Sequence, residues 1–304
     1  MLKGFVLVSF SMILTGMISI NAQTVSTVAK ISGQIGGVGG DSAGNIYFTD
    51  VDNHKIMKVN TSGVVSAVAG RGTNGTGDGI GQAATFQNPR EIAVDKSGNI
   101  FVIDGTGLAI RKIDNTTNRN VTTVNRISQQ SLTRFRGIAV DSAGTPYYFF
   151  DYQLYKGSTP VCGQHQTKAQ AKSVDGVGSN ALFIEPKGLT IDSSGNLYTL
   201  DDGKLRKITP TFTVTSPATT PGNCGLAVDW AGFVYVSDCY NHTIYKWNFI
   251  NNTFSKYAGS PGNFGTTDGA VGSALFNYPS QLVINGTSLY VADANNLSVR
   301  RIKP

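Results

Sequence analysis

Glutamate is nearly missing from this chain: only Glu91 and Glu185 occur in 304 residues. Together with 36 glycines, that scarcity excludes a largely helical architecture. Histidine is also sparse, and His54, His165 and His242 do not form a ligand set. The three cysteines, Cys162, Cys224 and Cys239, show no metal-ligand spacing. Gly-x-Ser-x-Gly, His-Glu-x-x-His and phosphate-loop motifs are absent, so the sequence offers no standard nucleophile elbow, zinc-protease helix or nucleotide cradle. Beyond residue 22 there is no long apolar run, so no membrane span is expected there.

The first 22 residues differ from the rest. Lys3 precedes an apolar stretch from Phe5 to Ile20, and Ala22 supplies a small residue ahead of Gln23. This pattern predicts a secretory signal peptide over 1–22, with one domain over 23–304 and an extracellular location. No Cys follows the cleavage point to carry a lipid. An odd number of cysteines leaves at least one unpaired within a secreted chain. Cys224 and Cys239 flank one hairpin, and a disulfide between them depends on a register that spacing alone leaves open.

What is abundant is a phrase. It is clearest at Gly188-Leu189-Thr190-Ile191-Asp192-Ser193-Ser194-Gly195-Asn196-Leu197-Tyr198, where two alternating runs meet at an Asp-x-x-Gly-Asn turn. That is a β-hairpin. Its turns begin at Asp41, Asp95, Asp141, Asp192, Asp229 and Asn285, with gaps of 54, 46, 51, 37 and 56 residues. Such periods predict a repeat architecture of four short strands per unit, an all-β, six-bladed propeller. In each repeat an inner strand is small and apolar, as in Ile92-Ala93-Val94. A second strand starts near an aromatic (Tyr47, Phe101, Tyr147, Tyr198, Tyr235, Tyr290) and ends in Asp50, Asp104, Asp151, Asp201, Asp238 or Asp293. A third reads apolar-x-basic, ending at Lys58, Lys112, Lys156, Lys207, Lys246 or Arg301. The sixth repeat has no fourth strand, yet the strand-like run 24–31 precedes the first repeat. The N-terminal strand is therefore expected to complete the last four-stranded blade and close the ring.

Three linkers share a second pattern, Asp78-Gly79, Asp175-Gly176 and Asp268-Gly269, each followed by Phe86, Phe183 or Phe276 eight residues after the Asp. They suggest a three-fold pattern laid over the six-fold one. Calcium wants six to eight oxygens, and each loop brings one acid, so a shaped loop whose Phe plugs between blades is the favoured reading.

The repeat resembles the NHL repeats, a propeller family. The resemblance is carried by Asp41-Ser42-Ala43-Gly44-Asn45-Ile46-Tyr47 with Asp50 to Lys58, and by Asp238-Cys239-Tyr240-Asn241-His242-Thr243-Ile244-Tyr245-Lys246. It extends over nearly all of 23–304 and explains why His54 and His242 recur at equivalent positions. It implies the fold firmly and the function loosely, because relatives include RNA binders, adhesion modules, sensor domains and a few enzymes.

In a propeller, residues at the start of the inner strand line the mouth of the central channel. Five places before each turn stand Gly36, Arg90, Arg136, Lys187, Cys224 and Ser280. In the related amidating lyase these positions carry zinc-binding His; none is His here, which argues against that activity. Three consecutive blades instead bring cations, and Arg suits carboxylate or phosphate through its planar fork. Glu91 and Glu185 stand close in sequence and are expected to offset part of that field. The candidate ligand site is thus Arg90, Arg136, Lys187, Glu91 and Glu185. A secreted binding module for a protein or a small anionic ligand is the favoured function, with no cofactor. The alternative is a metal-dependent, lactonase-like hydrolase or lyase using Glu91 and Glu185 at a channel calcium. Removing 1–22 leaves 24 basic against 19 acidic residues, a net of +5. Repeat positions account for 11 of those 19 acids, so the charge is distributed by the repeat and does not mark a nucleic-acid face. Eight Asn-x-Ser/Thr sequons add expected glycan sites if the source is eukaryotic.

Overall fold

Each Asp-x-x-Gly phrase closes a hairpin by satisfying its own backbone. Asp41 Oδ1 accepts hydrogen bonds from the N–H groups of Ala43 and Asn45, at 3.0 and 2.9 Å. Asp192 does the same for Ser194 and Asn196, at 2.9 and 2.8 Å. The following glycine takes a left-handed conformation, with φ of 86° at Gly44 and 81° at Gly195, where a Cβ would be strained. Asp Oδ2 reaches the aromatic of the next strand: the Tyr47 and Tyr198 hydroxyls donate to Asp41 and Asp192 at 3.0 and 3.1 Å. The sixth turn differs, because Asn285 pairs directly with Ser288 across a two-residue turn.

The computed structural model describes residues 23–105, 108–126, 135–164 and 172–304. The expected signal peptide over 1–22 and His165 lie outside the described residues. Six antiparallel sheets form a ring of blades whose inner strands are Ile35–Gly40, Ile92–Val94, Phe135–Val140, Lys187–Ile191, Leu226–Val228 and Pro279–Asn285. Among the described residues the only helical turns are three short 3-10 segments. The strand Thr24–Lys30 pairs with Ser298–Lys303, from Thr24 opposite Lys303 to Lys30 opposite Ser298. The ring therefore closes through the N-terminal strand.

The blades are not all four-stranded. In blades two, four and six the Asp-Gly linkers contribute two-residue strands, Gly79–Ile80, Gly176–Val177 and Gly269–Ala270, as fifth members. Each pairs with the outer strand of the blade that follows the linker: Asn120–Arg126, Thr213–Thr219 or Thr24–Lys30. The linker phenylalanines are the plugs. Phe86 packs among Tyr47, Ile56 and Ala69 of blade one and Ile92, Ile100 and Val121 of blade two. Phe183 and Phe276 fill the corresponding seams between blades three and four and between blades five and six.

A residue at the unspecified position of the apolar-x-basic pattern anchors each plug. Arg111, Arg206 and Arg300 are fully buried. Each guanidinium lies over its plug ring, 5.0 Å from Phe86, 4.9 Å from Phe183 and 5.2 Å from Phe276. Each is paired with the Asp ending the second strand, at 3.0 Å to Asp104, 2.7 Å to Asp201 and 2.8 Å to Asp293. Each also reaches the linker acid, at 2.9 Å to Asp78, 3.3 Å to Asp175 and 2.7 Å to Asp268. The linker acid in turn accepts bonds from the outer strand: Thr123, Ser216 and Thr27 each donate a backbone N–H and a hydroxyl. Thr123 and the Arg111 charge, together outweighing desolvation, hold the Asp78 carboxyl below the usual range. The loop acids are thus occupied by protein partners.

The six third-strand cations face the second-strand aromatics. The register places each directly opposite the second-strand aromatic, from Tyr47 with Lys58 to Tyr290 with Arg301. Lys112, Lys156 and Lys207 lie 5.7, 5.4 and 5.9 Å from the centroids of Phe101, Tyr147 and Tyr198, within cation–π range. In blades one and five the aspartates that end the second strand accept from Asn53 and Asn241.

Candidate ligand-binding site at the channel mouth

Six inner strands beginning at one face bring Gly36, Arg90, Arg136, Lys187, Cys224 and Ser280 to the wall of one cavity of about 330 Å³. Volumes of this order are typical of small-molecule sites. Its floor is Gln281. The side-chain Oε1 of Gln281 accepts from the N–H groups of Val38 and Ile92, at 3.1 and 3.4 Å, and Nε2 donates to the Ile92 carbonyl at 3.2 Å. Gln281 also borders a second cavity of about 220 Å³, walled by the apolar inner strands, and so divides the channel.

A model of the NHL repeat matches residues 225–247, the first three strands of blade five. The chain is a six-bladed propeller that carries an NHL repeat in blade five. Human teneurin-4 is 25% identical over 316 aligned residues, covering 86% of this chain and 10% of teneurin-4. The propeller thus spans about a tenth of that relative's length. Among solved structures, a virginiamycin B lyase from Staphylococcus aureus is similar with a TM-score of 0.62 at 10% identity, over 93% of this chain and 99% of the lyase. A gluconolactonase from Xanthomonas campestris is similar with a TM-score of 0.62 at 11% identity, over 92% and 89%. At these identities the likeness is one of fold.

The propeller distributes its predicted site residues unevenly. Arg90 and Arg136 are exposed, and Lys187 is half-buried. Glu185 answers two of them, at 3.2 Å to Arg136 and 3.9 Å to Lys187. All three side chains are substantially exposed, so screening weakens these pairs. The backbone of Glu185 is fixed from below, because Asp201 Oδ1 accepts its N–H at 2.8 Å. The buried arginine module therefore reaches the mouth: Arg206 holds Asp201, and Asp201 holds the segment carrying Glu185. Arg90 forms no ion pair with a described residue.

Glu91 behaves differently from the expectation that it would offset the cations. It turns inward, and its Oε1 accepts the Gly137 N–H at 3.1 Å, tying blade two to blade three. Its Oε2 is shielded from solvent and has no hydrogen-bond partner. Burial pushes its carboxyl pKa up, against the pull of the Gly137 N–H and of the Arg136 and Arg90 charges. Between the unfolded and the raised folded-state pKa the native state holds a proton that the unfolded chain releases, so stability falls as pH rises through that window. Glu91→Gln, which mimics the protonated acid, should raise the thermal midpoint at about pH 7 to 8. The gain should vanish below about pH 4, where the unfolded carboxyl is protonated too. Thermal unfolding of both proteins across that range checks this.

On the part of the wall formed by blades five and six, Tyr240 and Tyr278 meet edge to face at 5.8 Å. Sequence reasoning missed both. Tyr240 lies within the NHL phrase already quoted, and Tyr278 sits two residues before Ser280, so position relative to the mouth was the available signal. Cys224, on the cavity wall, is bonded to Cys239, with Cα atoms 6.0 Å apart. Cys162 is a buried free thiol whose pKa burial pushes up to about 11. His242 is structural, with Nδ1 accepting the Tyr278 N–H at 3.1 Å.

Proposed function

We propose that this propeller is a secreted binding module that takes an anionic group, on a small molecule or on a protein, into the cavity at the channel mouth. The observation that carries the reading is the convergence of Arg90, Arg136 and Lys187 from three consecutive blades on one cavity, where Glu185 is their one ion-pair partner among the described residues. A rigid ring holding charged groups at its rim favours recognition by preorganisation. The hydrolase or lyase reading fits less well. Its two candidate ligands are engaged elsewhere, Glu91 with the Gly137 backbone and Glu185 with two cations.

The test is calorimetric titration with sulfate and with citrate at near-physiological salt. The wild-type protein should bind at least one of them, and the triple reversal Arg90→Glu, Arg136→Glu, Lys187→Glu should bind neither while keeping its thermal midpoint. Binding that survives the reversal, or a wild-type protein that binds neither anion, would sink the reading.

A further inference from the structure

The cations occupy only part of the mouth, and the remaining wall has a chemistry of its own. Tyr240 is 66% exposed and presents a ring to the cavity beside Tyr278. Tyr278 is within electrostatic reach of Arg90, so the aromatic corner adjoins the cationic one. The side-chain amides of Gln34 and Asn223 line the same cavity from blades one and five, and neither donates a hydrogen bond to a described residue. Glu91 lines the same cavity on the side of Arg90 and Arg136, and its enclosed Oε2 lacks a hydrogen-bond partner. A buried polar atom without a partner is costly, and here it stands beside a space that a ligand hydroxyl can enter.

Resting on the anion-binding reading, we infer that the mouth recognises an acidic monosaccharide unit, a hexuronate, with its carboxylate between Arg90 and Arg136, its ring against Tyr240, and its hydroxyls on Gln34, Asn223 and Glu91. Each part of the ligand answers a separate group. The planar carboxylate matches the guanidinium fork. Polarised ring C–H groups suit the negative face of an aromatic. Several hydroxyls answer the amides of Gln34 and Asn223 and the unpartnered Glu91 Oε2. The unpartnered Glu91 Oε2 offers an acceptor for a ligand hydroxyl. A cavity of about 330 Å³ has room for a single pyranose.

The experiment compares D-glucuronate, acetate and D-glucose by calorimetry on the full chain. Glucuronate should bind at least about tenfold tighter than acetate or glucose. Tyr240→Ala should cut glucuronate affinity by about tenfold and leave acetate unchanged, whereas Arg90→Ala should weaken both ligands. Glu91→Gln, which keeps a donor and an acceptor, should retain glucuronate binding, and Glu91→Ala should lose about tenfold. Equal affinity for acetate and glucuronate, or indifference to Tyr240→Ala, overturns the sugar assignment while leaving an anion site. Failure of acetate, sulfate and citrate as well overturns the anion reading itself, and this inference with it.

Discussion

Replacing Arg206 by alanine should destabilise the propeller by about 3–5 kcal/mol, the usual cost of stranding a buried charge. Both members of the Arg206–Asp201 pair are fully buried, at 2.7 Å. Arg206 also donates to the carbonyls of Leu182 and Val174, at 3.2 and 2.8 Å, and covers the Phe183 ring. Removing it leaves a carboxylate, two carbonyls and one ring face without their partner. Arg206→Lys should recover little, because an ammonium reproduces neither the fork nor the stacking. Asp201→Asn should also be costly. The double variant Arg206→Met, Asp201→Asn should cost much less than the sum of the singles, since no uncompensated buried charge remains and Asp175 is half exposed. Chemical denaturation of the four proteins gives the coupling. Additive single effects would show that the pair is not a unit. Because Asp201 fixes the segment bearing Glu185, Arg206→Ala should also disturb ligand binding at the mouth in the protein that remains folded.

The equivalent arginines explain what was and was not legible in the sequence. The hairpin phrase was readable because turns are local: Asp41 to Asn45 close on themselves, and Gly44 must take a left-handed conformation. The number of blades, ring closure and mouth positions follow from counting those turns. The Arg positions are harder to read. In most half-exposed strands an Arg at the second of three alternating positions faces water. In a propeller both faces of a blade are packed against neighbours, so alternation does not tell inside from outside. Lys112, beside Arg111, looks the same in the sequence, yet it is half-buried over the Phe101 ring while Arg111 is sealed. The signal was a correlation. Arg occupies the middle position only in the three blades that follow an Asp-Gly linker, and Met57, Tyr155 and Tyr245 occupy it in the others. The mouth was legible in its cations and not in its depth. Whether Glu91 faces Arg90 or turns toward Gly137 depends on how blades two and three approach, which no local pattern encodes.

A chain lacking residues 23–31 should lose its cooperative native transition, and a separate peptide of that sequence should restore it. The strand Thr24–Lys30 carries Val25 and Ala29 into the interior and covers the edge of Ser298–Lys303. Removing it exposes that edge, which favours edge-to-edge association. It also breaks a chain of polar contacts. The bulge after Thr27 frees its N–H for Asp268 Oδ2 at 2.9 Å, and Asp268 in turn holds Arg300 at 2.7 Å. Without Thr27 the third buried arginine keeps Asp293 but loses the anchor of its linker acid, so blade six is weakened at its core as well as at its edge. Thermal unfolding followed by circular dichroism should therefore show a broad or absent transition for the truncated chain. Adding the peptide in trans should return a sharp one, and a peptide carrying Val25→Asp should not. A sharp, unshifted transition in the truncated protein would mean that the ring does not depend on its N-terminal strand. The placement of Arg90, Arg136 and Lys187 around one opening requires a closed ring, so the same truncation should abolish anion binding, and the same peptide should restore it.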